Sequence, residues 1–256
     1  MLPSERRKLI LEIVDTQSSV SVSELCEQLG VSEMTIRRDL RSLSDGGLLR
    51  RVHGGAVSRR GRSYEPPYFL RASANVERKE AIGRKARELI EEGDSIALDV
   101  GTTTLELAKA LVNASNITVV TSSLPAASVL ADAPDTRLIL SGGVVRQQEM
   151  SMTGHIAQRA YRDFWVDKAF IGVGGLDLDA GLTEYNLEDS LVKQAIIDHA
   201  GEIIVLADST KLGETCFAWI APLSAIHTLV TDWLAAPEVV AAIRQQGIEV
   251  LIAEEC

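Results

Sequence analysis

The sequence predicts an α/β protein with two parts, a small helical module followed by a larger domain built on a mainly parallel sheet. Residues 4–44 carry three helical patterns separated by turn signals. Seven apolar runs then lie between residues 95 and 253, and helical patterns separate several of them, which favours a parallel sheet covered on both faces. The charge changes too: residues 1–62 contain 11 Lys and Arg against 8 Asp and Glu, whereas the remainder contains 15 against 28.

The composition is that of a globular protein without a membrane segment. The chain has 256 residues, of which 46% are hydrophobic and 24% charged. No apolar run reaches the roughly 18 residues that a membrane span needs, and the charged N-terminus lacks the features of a secretory signal. Cys26, Cys216 and Cys256 are too scattered for a disulfide framework or a metal site. We therefore expect a cytoplasmic protein with no membrane partner, no metal and no cofactor.

Capping signals delimit the predicted helices of the N-terminal module. Ser21 and Glu24 have the spacing of a capping box, in which each residue satisfies a backbone N–H of the other. Gly30 ends that helix as a residue that tolerates positive φ. The predicted elements are a helix over 4–16, a helix from Ser21 to Gly30, and a helix from Ser32 to about Ser44 that Asp45-Gly46-Gly47 breaks. This order is that of a helix-turn-helix with a supporting helix before it.

The third helix is predicted to pack on one side and to present cations on the other. Ile36, Leu40 and Leu43 fall on one face at about 100° per residue. Arginine binds guanine edges bidentately and also binds phosphate, and polar residues at a helix N-terminus reach phosphates or bases. The predicted DNA-contacting residues of this helix are Ser32, Met34, Thr35, Arg37, Arg38 and Arg41. An ordinary solvated, charged face is the alternative.

A β-hairpin is predicted after the third helix, with its turn at Val52-His53-Gly54-Gly55. Such a hairpin would be the wing of a winged helix-turn-helix, and we expect Arg50, Arg51 and His53 to contact DNA there. For His53 the alternative is a turn residue chosen for its backbone conformation. Residues 58–75, with arginines, glycine and Pro66-Pro67, are predicted to be a linker. The predicted domains are therefore 1–57 and 76–256, joined by 58–75.

The larger domain is predicted to bind a ligand at the carboxyl ends of its strands. The predicted strands are 95–100, 117–121, 137–141, 168–173, 203–208, 227–232 and 248–253, with helices including 103–113, 187–200 and 237–246. Successive parallel strands bring their carboxyl ends to one edge, where glycines, hydroxyls and a lysine suit an anionic ligand. The predicted site residues at these ends are Asp99, Gly101, Thr102, Thr103, Thr104, Thr121, Ser122, Ser141, Gly142, Gly143, Gly174, Asp208 and Lys211.

Three more predicted site residues lie between two of these runs. Asn186 and Glu188 have side chains suited to sugar hydroxyls, and Lys193 to a phosphate. For Lys193 the alternative is an exposed helix lysine. The strand ends could also be plain turns, since the chain carries neither a P-loop nor a dinucleotide fingerprint.

Two groups of motifs resemble those of one family. SEMTIRRDLRSL followed by GGLLRRVHGGA resembles the N-terminal signature of the DeoR family of bacterial transcriptional regulators. DxGTTT, SGG, GLTxxNxED with a downstream Lys, and ADxTK resemble the effector domain of that family, and the resemblance is weakest across 144–166 and 212–224. It implies a sensor fold related to ribose-5-phosphate isomerase and recognition of phosphorylated sugars or related metabolites. Thr121-Ser122-Ser123 departs from the family pattern, in which an Asn often follows the Thr.

These observations predict a sequence-specific DNA-binding regulator rather than an enzyme. We expect a repressor of a carbohydrate-metabolism operon, with double-stranded operator DNA and a phosphorylated sugar as partners, and with 76–256 sensing the effector and forming a dimer or tetramer. One alternative is an isomerase-like enzyme using Asp99, Glu188 and Asp208 as acid or base and Lys193 or Lys211 as electrophile. A nonspecific architectural DNA-binding protein is the other alternative.

Overall fold

The computed structural model describes residues 1–17, 19–45, 48–58, 61–147 and 149–255. Two compact units make up the chain, and the division between them falls between Ser73 and Ala74. In the described ranges, no helix is long and apolar enough to cross a membrane.

The first unit is a helix-turn-helix with a wing. Its elements are α1 (Pro3–Gln17), β1 (Ser19–Ser21), α2 (Val22–Leu29), α3 (Glu33–Asp45), β2 (Arg50–Val52), β3 (Gly55–Val57) and α4 (Tyr68–Ser73). β3 lies between β1 and β2 and pairs antiparallel with both. The core of the unit is aliphatic, with Ile10, Leu25 and Ile36 fully buried in it. The predicted helices and hairpin are thus confirmed, whereas β1 was not predicted.

Two of the predicted helix ends are visible in atomic detail. Glu24 N donates to Ser21 Oγ at 3.2 Å and Ser21 N donates to Glu24 Oε2 at 2.7 Å, which completes the capping box. Gly30 follows α2 with φ 65°, and its N–H donates to the Cys26 carbonyl at 2.9 Å. The predicted break after α3 includes Gly46 and Gly47, which lie outside the described residues.

The segment predicted as a linker is partly structured. α4 lies within it, and Leu70, 6% exposed, packs in the core of the first unit. The Tyr64 hydroxyl donates to the Leu48 carbonyl at 3.1 Å. The apolar residues of YFLRAS and the Tyr64 hydroxyl therefore hold this part of 58–75 on the first unit, and the division falls two residues before Val76. Arg59 and Arg60 of this segment lie outside the described residues.

The second unit is built around a parallel sheet. Its elements are α5 (Val76–Arg87), β4 (Ser95–Leu98), α6 (Thr102–Ala110), β5 (Ile117–Thr121), α7 (Leu124–Leu130), β6 (Thr136–Leu140), β7 (Val144–Arg146), β8 (Ser151–Thr153), α8 (Gly154–Arg162), β9 (Val166–Gly172), β10 (Gly175–Asp177), β11 (Gly181–Glu184), α9 (Leu187–Ile197), β12 (Ala200–Leu206), β13 (Ala218–Ala221), β14 (Thr228–Asp232), α10 (Pro237–Gln245) and β15 (Glu249–Ala253). Two 3₁₀ turns, Ser209–Lys211 and Leu223–Ala225, flank β13 in the described chain.

All seven predicted strands lie in one sheet. Within the described residues its order is β15-β14-β12-β9-β4-β5-β6, and every neighbouring pair is parallel. Ile96, Leu98, Leu107, Phe170 and Ile204 are fully buried together, so side chains of the sheet pack against α6. The continuous apolar runs in the sequence thus correspond to the strands of this sheet. The inner strands are largely buried, whereas the edge strands β6 and β15 are buried only in part.

Two small antiparallel elements were not predicted. β7 and β8 form a hairpin, and β10, β11 and β13 form a sheet in that order. Their strands are three or four residues long, too short to give a periodic pattern, and the pair β11–β13 is distant in sequence. The helix α8, which precedes β9, was not predicted either. β7, β8, α8 and β13 lie in 144–166 and 212–224, where the motifs were weakest, whereas β10 and β11 lie outside these ranges.

Candidate functional site

The exposed face of α3 carries the cations predicted to meet DNA. Ile36, Leu40 and Leu43 are at most 4% exposed, as the helical pattern predicted. Met34, with 74% of its surface exposed, lies on the opposite side. Arg37, Arg38 and Arg41 are exposed on that side as well. The helix therefore packs on its own unit and presents cations to solvent.

The three arginines differ in how they are held. Arg37 Nη2 lies 3.1 Å from Glu33 Oε2 one turn earlier, and both side chains are more than half exposed. Arg38 and Arg41 have no ion pair or hydrogen bond to any other side chain in the described ranges. They remain available for a polyanion because no carboxylate of the described chain neutralises them.

The start of α3 and the wing present further polar groups. Thr35 N donates to Ser32 Oγ at 3.4 Å, and the two hydroxyls are 3.0 Å apart, so Ser32 caps the helix. Arg50, Arg51 and His53 are all exposed on β2 and its turn. The hairpin turn is anchored because Val22 N donates to the Gly54 carbonyl at 2.8 Å.

Asp39 is a structural residue of α3 that sequence reasoning missed. It is 1% exposed and accepts from Arg6 Nε at 2.5 Å and from Arg7 Nε at 3.1 Å. Its position three residues after Ile36 places it on the packed face, which was the available signal. Two arginines of α1 are thus used to fix α3, rather than to extend the cationic surface.

In the second unit, Asp99 and Gly101 lie between β4 and α6, and the threonines that follow them begin α6. Gly101 has φ 142°, which favours glycine, and Thr104 Oγ1 donates to its carbonyl at 3.1 Å. Thr102, Thr103 and Thr104 form the first turn of α6 and are each at most 9% exposed. The helix N-terminus therefore faces this loop with backbone N–H groups suited to an anion.

Lys193 is buried beside Asp99, so the alternative interpretation of Lys193 as an exposed helix lysine is wrong. It is 1% exposed, its Nζ is hydrogen-bonded to Asp99 and donates to the Gly172 carbonyl at 2.9 Å, and it lies 3.4 Å from Glu184 Oε2. Burial on its own would lower the pKa of Lys193, but the two carboxylates outweigh it and raise that pKa, which keeps the ammonium charged. Gly172 N also donates to Asp99 Oδ2 at 2.9 Å.

A chain of contacts links this cluster to the loop after β12. Glu184 accepts from the backbone N–H of Tyr185 at 2.8 Å. Lys211 Nζ donates to the Tyr185 hydroxyl at 3.2 Å and lies 5.7 Å from the centre of its ring. Sequence reasoning missed Glu184 and Tyr185, although both lie inside the GLTxxNxED motif. Asp99, Lys193 and Lys211 are thereby brought into one connected group.

The hydroxyl groups at the carboxyl ends of β5 and β6 take part in a local set of hydrogen bonds. Ser122 Oγ is 2.8 Å from Ser141 Oγ and donates to the Tyr161 hydroxyl at 3.0 Å. Thr121 Oγ1 accepts from Ser123 N at 3.0 Å, and Ser123 caps α7. Ser122 therefore takes part in a buried hydrogen-bond network.

The glycines of the predicted site lie at turns. Gly142 and Gly143 follow β6 with φ 71° and 121°. Gly174 follows β9, where an added Cβ would lie 2.9 Å from Cys216 Sγ and 3.0 Å from Glu184 Oε1.

The start of α9 is tied to the β7–β8 hairpin. Asn186 Oδ1 accepts from Glu188 N at 2.8 Å, so its side chain caps the helix. Glu188 Oε2 accepts from Thr153 Oγ1 at 3.2 Å. Asp189, which was not predicted, is bound by Arg146 and accepts from Ser151 Oγ at 3.1 Å. Burial raises the pKa of Asp189 to about 6, against the lowering effect of Arg146.

Asp208 organises its own loop. Its carboxylate accepts from Thr210 N at 3.0 Å and is also hydrogen-bonded to the Thr210 hydroxyl. The next residue, Ser209, donates its N–H to Asp232 Oδ2 at 2.6 Å. The predicted ligand residues at this strand end thus form a closed 3₁₀ turn at the same edge of the sheet as Asp99.

Family models match both units. A DeoR-like helix-turn-helix domain matches residues 6–61, and a DeoR C-terminal sensor domain matches residues 74–233. YulB, a transcriptional regulator of Bacillus subtilis, is 36% identical over 98% of this chain and 96% of its own. The glycerol-3-phosphate regulon repressor of Escherichia coli is 34% identical over 91% of this chain and 92% of its own.

The exposed cationic helix, the wing and the parallel-sheet unit define a DNA-binding regulator with a separate sensor unit. The chain belongs to the DeoR family of transcriptional regulators. Both relatives match nearly full length and are regulators, so the chain is a regulator and the enzyme alternative is not supported. Among solved structures, ribose 5-phosphate isomerase A of Methanocaldococcus jannaschii is similar to this chain, with a TM-score of 0.41 and 19% sequence identity. The similarity covers 54% of this chain and 55% of that one.

Proposed function

We propose that this chain is a repressor of a carbohydrate-metabolism operon that binds paired operator half-sites through α3 and the wing. The observation that carries the proposal is the pair Arg38 and Arg41, exposed and without a carboxylate partner in the described ranges of an acidic chain. Cations kept apart from the protein's own anions suit a phosphate backbone and the guanine edges of the major groove. Since helix-turn-helix proteins bind symmetric sites, we propose a dimer or tetramer assembled through the second unit.

The proposed effector is a phosphorylated sugar or polyol bound at the carboxyl edge of the sheet. The first turn of α6 supplies N–H groups for a phosphate, and Lys211 supplies a cation held by Tyr185 at the same edge. Asp99 Oδ1 is buried without a hydrogen-bond partner among the described residues, and a sugar hydroxyl would satisfy it. The Escherichia coli relative is named for glycerol 3-phosphate, and we extend to this chain only the class of compound.

The DNA half of the proposal is tested by selecting duplexes from a random pool with the full chain. We expect a two-fold symmetric consensus, bound by the protein with an affinity that falls steeply as salt rises. Fluorescence anisotropy over a threefold range of salt measures the slope. An affinity that does not change with salt, or protection of all duplexes alike, would contradict specific docking by these arginines.

The effector half is tested by thermal shift. Glycerol 3-phosphate, ribose 5-phosphate, fructose 1-phosphate and fructose 6-phosphate are each compared with inorganic phosphate and with the unphosphorylated compound. A compound that binds only the native state raises the melting temperature, and the rise grows with the logarithm of its concentration above its dissociation constant. We expect at least one phosphorylated compound to do so and to change operator affinity. If none of them does either, the proposed effector class is wrong.

A further inference from the structure

The first helix of the second unit is tied to the loop after β12. α5 begins at Val76, close to the division between the units, and Arg78 lies in its first turn. Arg78 Nη1 donates to Ser209 Oγ at 3.2 Å, and its Nη2 is hydrogen-bonded to the Asn75 side chain. One guanidinium thus joins the point where the chain enters this unit to a residue 131 positions further along.

Ser209 lies between two residues of the proposed effector site. Lys211 N donates to the Asp208 carbonyl at 2.9 Å, which closes the 3₁₀ turn around Ser209. Ser209 N is held by the fully buried carboxylate of Asp232 at 2.6 Å. A ligand that contacts the Asp208 or Lys211 side of this turn therefore acts on a rigid loop, in which the Ser209 hydroxyl is the group that faces Arg78.

Asn75 has an unusual backbone conformation at the other end of this link. Its φ is 56° and its ψ is 34°, a left-handed conformation that non-glycine residues seldom adopt, although asparagine does so more readily than most. The side chain of Asn75 does not cap α5 and is hydrogen-bonded to Arg78 instead. Lys79 Nζ also donates to the Ala74 carbonyl at 2.8 Å. Strained residues persist where surrounding contacts hold them, so Arg78 is placed to maintain this conformation.

We propose that Arg78 is a positioning residue that couples the turn after β12, in which Ser209 lies between the proposed ligand residues Asp208 and Lys211, to the start of the second unit. The Arg78–Ser209 contact is present in one state of the regulator and is lost in the other, and Asn75 changes its backbone conformation with it. Effector and operator then bias the same two-state element, which is what linkage between two sites requires. This inference rests on the proposed function, because it assumes an effector at the sheet edge.

The test uses the full chain with two substitutions of the link. Ser209→Ala removes the hydroxyl acceptor and retains the backbone N–H that binds Asp232. Arg78→Ala removes the guanidinium. The affinity for a selected operator is measured with and without saturating glycerol 3-phosphate or ribose 5-phosphate, and the ratio of the two values is the coupling. Calorimetry gives the dissociation constant of each probe without DNA.

We expect the wild-type chain to show a coupling of at least about fivefold, within the range usual for allosteric proteins. Each substitution should reduce it to less than about twofold, while operator affinity without probe and probe affinity without DNA change by less than about threefold. The double variant should lose no more coupling than Arg78→Ala alone, since the Ser209 hydroxyl has no partner in the link once the guanidinium is removed. Lys85→Ala is the matched control, because it removes a cation from the same helix, paired 2.7 Å from Glu88.

The other outcomes each overturn a definite part of the inference. Full coupling in both variants, with a responsive wild-type chain, overturns the link and leaves the proposed function intact. A loss of probe affinity above tenfold at unchanged coupling would make Arg78 a ligand contact and also overturn it. No probe response in the wild-type chain overturns the effector proposal and, with it, the link. If Arg78→Ala does not fold, Arg78→Lys keeps the charge without the two-pronged contact, and full coupling in that variant overturns the link.

Discussion

The two units of this regulator use cationic side chains in opposite ways. In the first unit, Arg38 and Arg41 lie exposed on α3 with no ion-pair partner in the described chain. In the second unit, Lys193 is 1% exposed and is held by Asp99, Glu184 and a backbone carbonyl. An exposed guanidinium keeps its hydration until a polyanion replaces it, whereas a buried ammonium needs its partners in order to be tolerated at all.

This difference distinguishes side chains placed to bind a partner from side chains that stabilise the fold. The arginines of α3 are arranged for a partner outside the chain, and their removal should cost the fold little. The charges around Lys193 hold together the ends of β4, β9 and β11 and the helix α9, and their removal should cost the fold a great deal. The same difference is found within the first unit. Asp39 binds two arginines of α1, whereas Arg38 and Arg41 remain exposed to solvent.

The largest expected effect comes from breaking the buried cluster. Lys193→Met removes the cation and leaves the Asp99 and Glu184 carboxylates buried without their counter-charge. Loss of one member of a buried pair typically costs about 3–5 kcal/mol, and we expect a loss of this size in the free energy of unfolding. Urea denaturation of the full chain measures it. The double variant Lys193→Met, Asp99→Asn should recover part of the loss, because one of the stranded charges is then removed.

A loss below about 1 kcal/mol in Lys193→Met would contradict the buried-cluster account, because the two carboxyl groups would then have to be reached by water or neutralised by protons at little cost.

A pH-dependent effect is expected at Asp189, the buried partner of Arg146. Its pKa is raised to about 6 by burial, so the native state binds a proton more tightly than the unfolded chain does between about pH 4 and 6. The contribution of Asp189 to stability therefore falls as the pH rises through this window, by about 3 kcal/mol for a shift of two pKa units. Asp189→Asn does not titrate.

The measurement compares urea denaturation of wild type and Asp189→Asn from pH 4 to 7. The stability of wild type relative to the variant should decrease with pH up to about 6 and then stay level. A difference that is constant over the whole range would show that Asp189 titrates alike in the native and unfolded states.

The sequence predicts those parts of the fold that local patterns determine. The seven strands were predicted because each reads as a mostly apolar run, although the edge strands β6 and β15 are buried only in part. The face of α3 was predicted because Ile36, Leu40 and Leu43 repeat with the period of the helix. The capping box at Ser21 and Glu24 was predicted because it joins residues three positions apart.

The sequence does not predict what depends on contacts between distant segments. Lys193 meets Asp99 across 94 positions, and nothing near Lys193 distinguishes it from an exposed helix lysine. The pairing of β11 with β13 and of Asp189 with Arg146 depends on the folded sheet in the same way. The partners of Glu184 and Tyr185 likewise follow only from the packing.

On the exposed side, Arg38→Ala and Arg41→Ala should each weaken operator binding. A bidentate contact to guanine is worth about 1–3 kcal/mol of discrimination, and a phosphate contact contributes about one unit to the salt slope. Anisotropy titrations at several salt concentrations separate the two roles. Melting temperatures should stay close to wild type because neither side chain contacts a described carboxylate. Arg37→Ala, already paired with Glu33, should cost less than either, and a larger loss there would reverse the assignment.

The smallest expected effect tests the exposed ion pair itself. Glu33→Gln removes the carboxylate that holds Arg37 at 3.1 Å, and exposed pairs of this spacing contribute about 0.3–0.5 kcal/mol at most. The free energy of unfolding should therefore change by less than about 0.5 kcal/mol. Operator affinity should rise slightly, since an anion is removed from the DNA-facing end of α3 and Arg37 is released toward phosphate. Denaturation and anisotropy of the same preparation measure both quantities, and weaker operator binding would mean that Glu33 orients Arg37 for its contact rather than competing with it.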